Sequence, residues 1–495
     1  MYKYLLLFLF LLTACAPPQP EREQTIRFGL ESAPVTLDPR FATDAASARI
    51  NRLIYRSLID FDSNRQPIAD LATWEQLLPT HYRFNLRPPG CEFHNDHTLN
   101  AYDVKATYDF ILDPANASPH REAFKSIQEI DVINEKTIDF ILSQPDNLFV
   151  GRLGIGILPA DLIKQNHPFN THPIGSGVFK FVDWQDHTRL KLQRLTDQQM
   201  VEFIEVKDPV VRVLKLLRGE LDILQGDLSA ELITWLGKRK EVQIQKEKGS
   251  NFAYLGFNLQ NDTTSNLLIR QAIAYALNRE DMIHYVLGDA ARPASSILPP
   301  THWAGHPELP LYPHDPEKAK QLLAQAGYTK DNPLKLSYKT STNPVRIRLA
   351  TVIQHQLKQV GIEMDLQTYD WGTFYGDIKA GKFQMYSLMW VEVKMPDIFE
   401  YVFHSNSIPP SGANRGRYIN PQLDQWVDEA RQTNDLQKQV KLYRQIQQQI
   451  FDDLPYVPLW YEDYVLVTQK MIEHYTLSAD GNYDSLKWAK KVLPR

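Results

Sequence analysis

Only two cysteines, Cys15 and Cys91, occur in 495 residues, which allows at most one disulfide, so the chain's stability rests on a packed core rather than on a disulfide framework. A basic excess is missing too: 54 Lys and Arg stand against 59 Asp and Glu, a net charge of -5. That balance lacks the electrostatic footprint of a nucleic-acid binder. Long apolar runs are limited to one stretch, Tyr4 to Leu12, which is too short to cross a bilayer. Collagen-like, coiled-coil and multi-span membrane architectures are thereby excluded. What the sequence does hold is 43% hydrophobic and 11% aromatic residues, enough for large cores. Its length exceeds what one core usually organises, which predicts two domains or more.

The single apolar run follows Lys3 and ends in Leu12-Thr13-Ala14-Cys15. A positive charge, a short apolar stretch and small residues before a cysteine resemble the bacterial lipobox, which implies a signal peptide over 1–14 and a lipid on the Cys15 sulfur. Residues 15–24 are polar and Pro-rich, as a flexible tether would be. With Cys15 lipidated, Cys91 has no partner. The acidic mature body has no general attraction for anionic lipid, so the anchor would be the lipid itself.

Periodicity along the chain predicts a strand from Gln24 that enters a turn by Val35, and a helix over Ala45 to Leu58. Tyr82 to Leu86 alternates as a strand, and Asn100 is placed to cap a helix ending at Leu112. Leu267 to Leu287 carries one apolar stripe and predicts one long helix stopped by Gly288; Asp315-Pro316 opens another, ended by Gly327. The segment 334–391 reads strand, helix, strand, helix, strand with short links, the pattern of a three-layer α/β lobe. Leu436 to Ile450 marks a further amphipathic helix, and an extended aromatic stretch, Tyr456 to Tyr461, follows.

Catalytic signals are sparse. His94 and His97 have the spacing of a metal pair, but no HExxH or cysteine cluster completes a ligand set, and a polar loop is the simpler reading. Gly151-Arg152-Leu153-Gly154-Ile155-Gly156 inverts the dinucleotide fingerprint and reads as turn chemistry. Gly175-Ser176-Gly177 is not the nucleophile elbow of a hydrolase. No enzyme and no cofactor are expected.

Several short blocks, in order, carry a family resemblance. Pro34-Val35-Thr36-Leu37-Asp38-Pro39 is similar to the opening of family 5 solute-binding proteins of bacterial ABC importers. Phe93-His94 with Leu99 to Val104 resembles their FHDG…LTAxDV signature, and Pro173 to Gly177 resembles PxGTGPY. Ile269 to Ala272 with Ala276 to Arg279, Asp315 to Ala319 with Leu323 to Gly327, Arg417 to Pro421 and Leu454 to Leu459 fit later blocks. The resemblance spans roughly residues 25 to 470, and its ordered blocks are far more specific than any one of them.

The resemblance implies a bilobal periplasmic-binding-protein-like clamshell, two α/β lobes joined by two hinge strands. Lobe I would hold 25–254 plus 468–495, with an extra subdomain about 45–165; lobe II would hold 255–467. It further implies capture of a short peptide between the lobes, hinge closure, and delivery to an ABC permease with its ATPase subunits by a monomer lipid-anchored at the periplasmic or extracytoplasmic face. A non-peptide solute (nickel chelate, glutathione, opine) is the near alternative, and a secreted lipoprotein hydrolase the distant one. Peptide-binding relatives carry W-x-x-D-x-x-D/E-P, whose acid pairs with the peptide amine. Here the run is Trp390-Val391-Glu392-Val393-Lys394-Met395-Pro396-Asp397, so Glu392 is the nearest acid and its register departs from the pattern. Glu392 facing solvent or pairing with Lys394 is the competing reading. A guanidinium for the other end of the peptide is sought at Arg346, Arg348 or Arg415. Trp371, Asn258, Asn414 and Tyr461 complete the expected ligand-binding set.

Overall fold

The computed structural model describes residues 24–492 except positions 63, 88–91, 227, 330, 392 and 479. Cys15, Cys91 and Glu392 therefore lie outside the described residues, as do the signal peptide and nearly all of the tether.

An 11-stranded sheet runs through both lobes. From one edge its strands are Ile362–Tyr369, Leu334–Ser341, Met385–Trp390, Val242–Phe257, Tyr456–Gln469, Ile223–Gln225, Ile26–Leu30, Met200–Glu205, Arg189–Arg194 and Phe179–Gln185, with Ala291–Pro293 added beside Tyr456–Gln469. Two long antiparallel strands, Val242–Phe257 and Tyr456–Gln469, cross between the lobes. On one side of the crossing, Leu466 to Thr468 pair with Gln225 to Ile223; on the other, Phe252 to Phe257 pair with Trp390 to Met385. The change of partners coincides with a register shift between Glu247 and Asn251, opposite Tyr464 and Glu462. Gly249 sits in that bulge, where a Cβ would lie 2.1 Å from the Glu462 carbonyl oxygen, so no larger residue fits without backbone movement.

The lobe built on 334–390 follows its local sequence closely. Leu334, Leu336 and Tyr338 alternate inward, and the stripe Leu349, Ile353 and Leu357 seals the helix Pro344–Gln359 onto them. Asn343 caps that helix, and Asp370 caps Trp371–Ala380. The long helix expected over 267–287 is two helices, Leu267–Ala276 and Arg279–Tyr285. Leu277 turns extended, Asn278 caps the second helix, and the Gln356 side chain accepts the Asn278 N–H at 3.0 Å. A cap and a tertiary bond outweigh a continuous apolar stripe.

The recurring sequence blocks turn out to be joints. Arg279, 5% exposed, donates to the carbonyls of Pro458, Ala274, Leu277 and Tyr312. Arg270 does the same toward Leu454, Asp453, Thr264 and Ser265. Together they tie the helical layer to the start of the second crossing strand. Asn100 and Asp103 form a reciprocal capping box on the helix Ala101–Leu112. This helix packs Tyr108 against Phe124 and Phe140 of a separate core, whose four-stranded sheet spans Ala72–Leu78, His81–Leu86, Thr137–Leu142 and Ile127–Asn134. Gly177 donates its N–H to the Ile54 carbonyl at 2.7 Å, and a Cβ on Gly175 would fall 2.1 Å from that same oxygen. Close approach to a helix end, not catalysis, explains the Gly175-Ser176-Gly177 block.

Candidate functional site

A cavity of about 780 Å³ opens between the lobes. Glu31, Ser32 and Lys207 line it from one side; Tyr338, Arg346, Trp371, Met389, Val391 and Trp460 are among the residues facing them. Ser387, Met389 and, just past the strand Met385–Trp390, Val391 share the cavity face, and Leu388 between them also reaches it. Most of the wall is apolar, and its charges come in part as a pair. Arg346 Nη1 reaches Glu462 Oε1 at 2.9 Å, and Trp460 Nε1 approaches the same oxygen at 3.4 Å. Burial alone would push the Glu462 carboxyl up, but the adjacent guanidinium overrides it and holds the group below the usual glutamate range.

Trp390 faces the other way. Its ring stacks on Tyr254 at 6.4 Å and 12°, and the Arg415 guanidinium lies 4.7 Å from its centre. Arg415 donates to the hydroxyls of Tyr254 at 3.2 Å and Tyr375 at 3.0 Å. Tyr375 in turn stacks on Trp371 at 5.4 Å and 9°. Trp371, Tyr375, Arg415, Trp390 and Tyr254 thus form one continuous aromatic and cationic ladder backing the cleft. Arg415 is 7% exposed and has no carboxylate partner among the described residues; tyrosine hydroxyls and ring faces solvate it.

The remaining expected site residues have other engagements. Arg348 pairs with Glu231 of the opposite lobe. Asn258 donates to the carbonyls of Gly381 and Phe383, at 3.0 and 3.2 Å. Asn414, 1% exposed, bonds the carbonyls of His404 and Tyr418 and accepts the Tyr418 N–H. The Tyr461 hydroxyl donates to the Ser296 carbonyl, its ring inside the second lobe's core. Of the expected set, the structure brings Trp371 and Arg346 to the cavity wall and Trp390 and Arg415 behind it. His94 lies in a loop with Nε2 on the Gly177 carbonyl at 2.9 Å.

Sequence reasoning missed Glu31, Lys207, Met389 and Trp460. Glu31 stands just before the Pro34 to Pro39 block, and Trp460 lies inside the aromatic stretch 456–461, so both carried a signal; Lys207 and Met389 carried none.

One sheet shared by two lobes, crossed twice and hollowed where the lobes meet, defines a periplasmic binding protein, a receptor that holds its ligand between two halves. The chain belongs to the bacterial extracellular solute-binding proteins, family 5, whose middle region matches residues 67–408. The dipeptide-binding protein of Escherichia coli (strain K12) is 26% identical over 501 residues, covering 93% of each chain. The periplasmic binding protein DppA from Helicobacter pylori, solved in complex with the peptide STSA, superposes with a TM-score of 0.81 at 26% identity over 96% of this chain and 99% of that one. NikZ from Campylobacter jejuni, solved with Ni(L-His), gives 0.83 at 25% identity over 95% and 100%.

Proposed function

We propose that this solute-binding protein captures short peptides in the interlobe cavity and hands them to an ABC permease. The observation that carries the reading is the cavity itself. Its wall, formed by Trp371, Phe374, Trp460, Leu349 and Met389, suits apolar side chains, while Asn343, Thr340, Ser341 and Ser387 offer polar groups for a backbone. The likeness to the dipeptide-binding protein and to peptide-bound DppA supports the same solute class. The protein binds and releases without catalysis, as a monomer that needs no cofactor and no nucleic acid. In this reading lobe I holds 25–254 plus 468–495 and lobe II holds 255–467, with the bend near the Gly249 bulge.

In this reading Glu392 receives the peptide amine, and Cys15 carries the lipid that holds the protein at the extracytoplasmic face. Native mass spectrometry of protein purified without unfolding should find retained peptide; a nickel chelate in its place would replace the peptide reading. Calorimetry should show free peptides binding more tightly than N-acetylated ones, with Glu392→Gln removing the difference; equal affinities would dispose of the amine anchor. Cys15→Ser should abolish detergent-phase partitioning.

A further inference from the structure

The tether joins the folded body at Gln24, and the contacts made there show which face of the molecule it leaves from. Gln199 Nε2 donates to the Gln24 carbonyl at 2.8 Å, and Lys491 Nζ to the Thr25 carbonyl at 3.2 Å. The loop carrying Gln199 is fixed in turn by Arg194, whose guanidinium bonds Asp197 and the carbonyls of Leu486 and Ala489. The start of the first strand and the segment 486–492 therefore share one corner of the protein.

Along that segment the side chains alternate. Ala489 is fully buried and Lys491 turns inward to Asp222 and Thr25, whereas Trp488, Lys490 and Val492 face out. Trp488 is 71% exposed, the most of the chain's nine tryptophans. The next two have visible engagements: Trp371 lines the interlobe cavity and stacks on Tyr375, and Trp235 lies against the Arg239 guanidinium. Trp488 has no ring or cationic partner among the described residues. Val492 and Leu195, the residue after Arg194, are also exposed and extend the apolar surface. The charge of Lys490 is answered within the protein, since it acts through space on Asp197 and lies opposite Glu473 in the strand pair.

We propose that this corner sits on the surface of the membrane that holds the Cys15 lipid, with Trp488 and Val492 in the headgroup layer. The proposal rests on the lipid reading of Cys15. Nine residues separate Cys15 from Gln24, and fully extended they span only about 30 Å. A folded chain of 495 residues is roughly 60 Å across. The corner where the tether emerges is thus kept close to the bilayer, while the opposite faces are out of reach of it. An indole suits that place, because its ring is apolar and its N–H can meet headgroup acceptors. With Lys490 balanced by acids, the contact requires no anionic lipid. It gives the receptor one posture on the membrane in place of free swing on its tether.

The test uses the lipid-bearing full-length protein, extracted from membranes and reconstituted in phosphatidylcholine vesicles. Their acyl chains are either plain or brominated near the headgroup, and tryptophan emission is read in both. Brominated lipid should quench wild type by about one-ninth, the share of one tryptophan in nine, and should leave Trp488→Phe unquenched. Both proteins should melt at the same temperature, since the Trp488 ring lies outside the core. Trp488→Phe quenched as strongly as wild type would put a different tryptophan at the bilayer and overturn the proposal. Wild type that floats with the vesicles but is not quenched overturns it too, and leaves the Cys15 anchor standing. Wild type that stays behind when the vesicles float removes the anchor reading, and the membrane face with it.

Discussion

In the interlobe cavity the Arg346 guanidinium meets Glu462 at 2.9 Å, whereas in a second, smaller cavity of about 450 Å³ the Lys394 ammonium lies 5.6 Å from the centre of the Phe61 ring and acts on Asp60 and Asp480 only through space. Val391 lines one space and Lys394 the other; the first holds a cation in a direct ion pair, the second a cation with no carboxylate within ion-pair distance among the described residues. A cation already paired selects mainly by shape and apolar area. An unpaired one selects by charge, because desolvating it is repaid only when an anion arrives. That contrast can be broken from either side.

The largest effect is expected at the apolar wall. Trp460 is 1% exposed and belongs to the core as well as to the cavity, so Trp460→Ala should cost about 3–5 kcal/mol of stability, read by urea denaturation. Next comes the support of the charged side. His302 Nδ1 accepts the Ala304 N–H at 3.0 Å while Nε2 bonds the Lys394 carbonyl, an arrangement open only to the neutral ring. Burial, with Arg65 nearby, pulls this imidazole down to about 4 despite the Lys394 carbonyl. An unfolded histidine titrates near ~6.5, so on acidification the unfolded chain takes up the proton first. The contribution of His302 is complete above that pH and is lost progressively as pH falls from ~6.5 to 4, amounting to about 3 kcal/mol. Denaturation midpoints measured from pH 7 to 4 should fall more steeply in wild type than in His302→Gln.

Glu462→Gln should be smaller, about 2 kcal/mol, because both partners keep some solvent contact. Its more telling effect is on selectivity: with that acid gone, Arg346 should raise the larger cavity's affinity for peptides bearing an acidic side chain, which calorimetry can follow. Smallest is the contact at the mouth. Arg348 and Glu231 are each more than half exposed, so Arg348→Ala should change closure by about 0.5 kcal/mol at most. Small-angle scattering should show the ligand-bound radius of gyration unchanged.

The lobe spanning 334–390 was legible because its periodicity, caps and glycine stops are local. Helix Trp371–Ala380 begins and ends where Asp370 and Gly381 place it. The first crossing strand was not: Val242–Phe257 passes from an exposed, lysine-bearing half into a fully buried one, so no single period runs through it. The split at Asn278 depended on Gln356, 78 residues away. At the site, the aromatic residues were visible as a class, but the engagement of the arginines was not. Arg346 and Arg348 find their acids 116 and 117 positions away, and spacing along the chain carries no trace of such pairs.

The interleaving of the central sheet also fixes an order of events. The strand Ile223–Gln225 pairs with Ile26–Leu30 on one side and with Leu466 to Thr468 on the other, and Lys491 closes onto Asp222 at 2.9 Å. Half of the molecule therefore waits, unfinished, for segments made more than two hundred residues later, while the continuous stretch between the crossings has its strands and helices in sequence. Contacts of such long separation form slowly. A chain emerging from a ribosome or a translocon thus stays without a completed first half until almost all of it has passed, which keeps it threadable for as long as threading lasts.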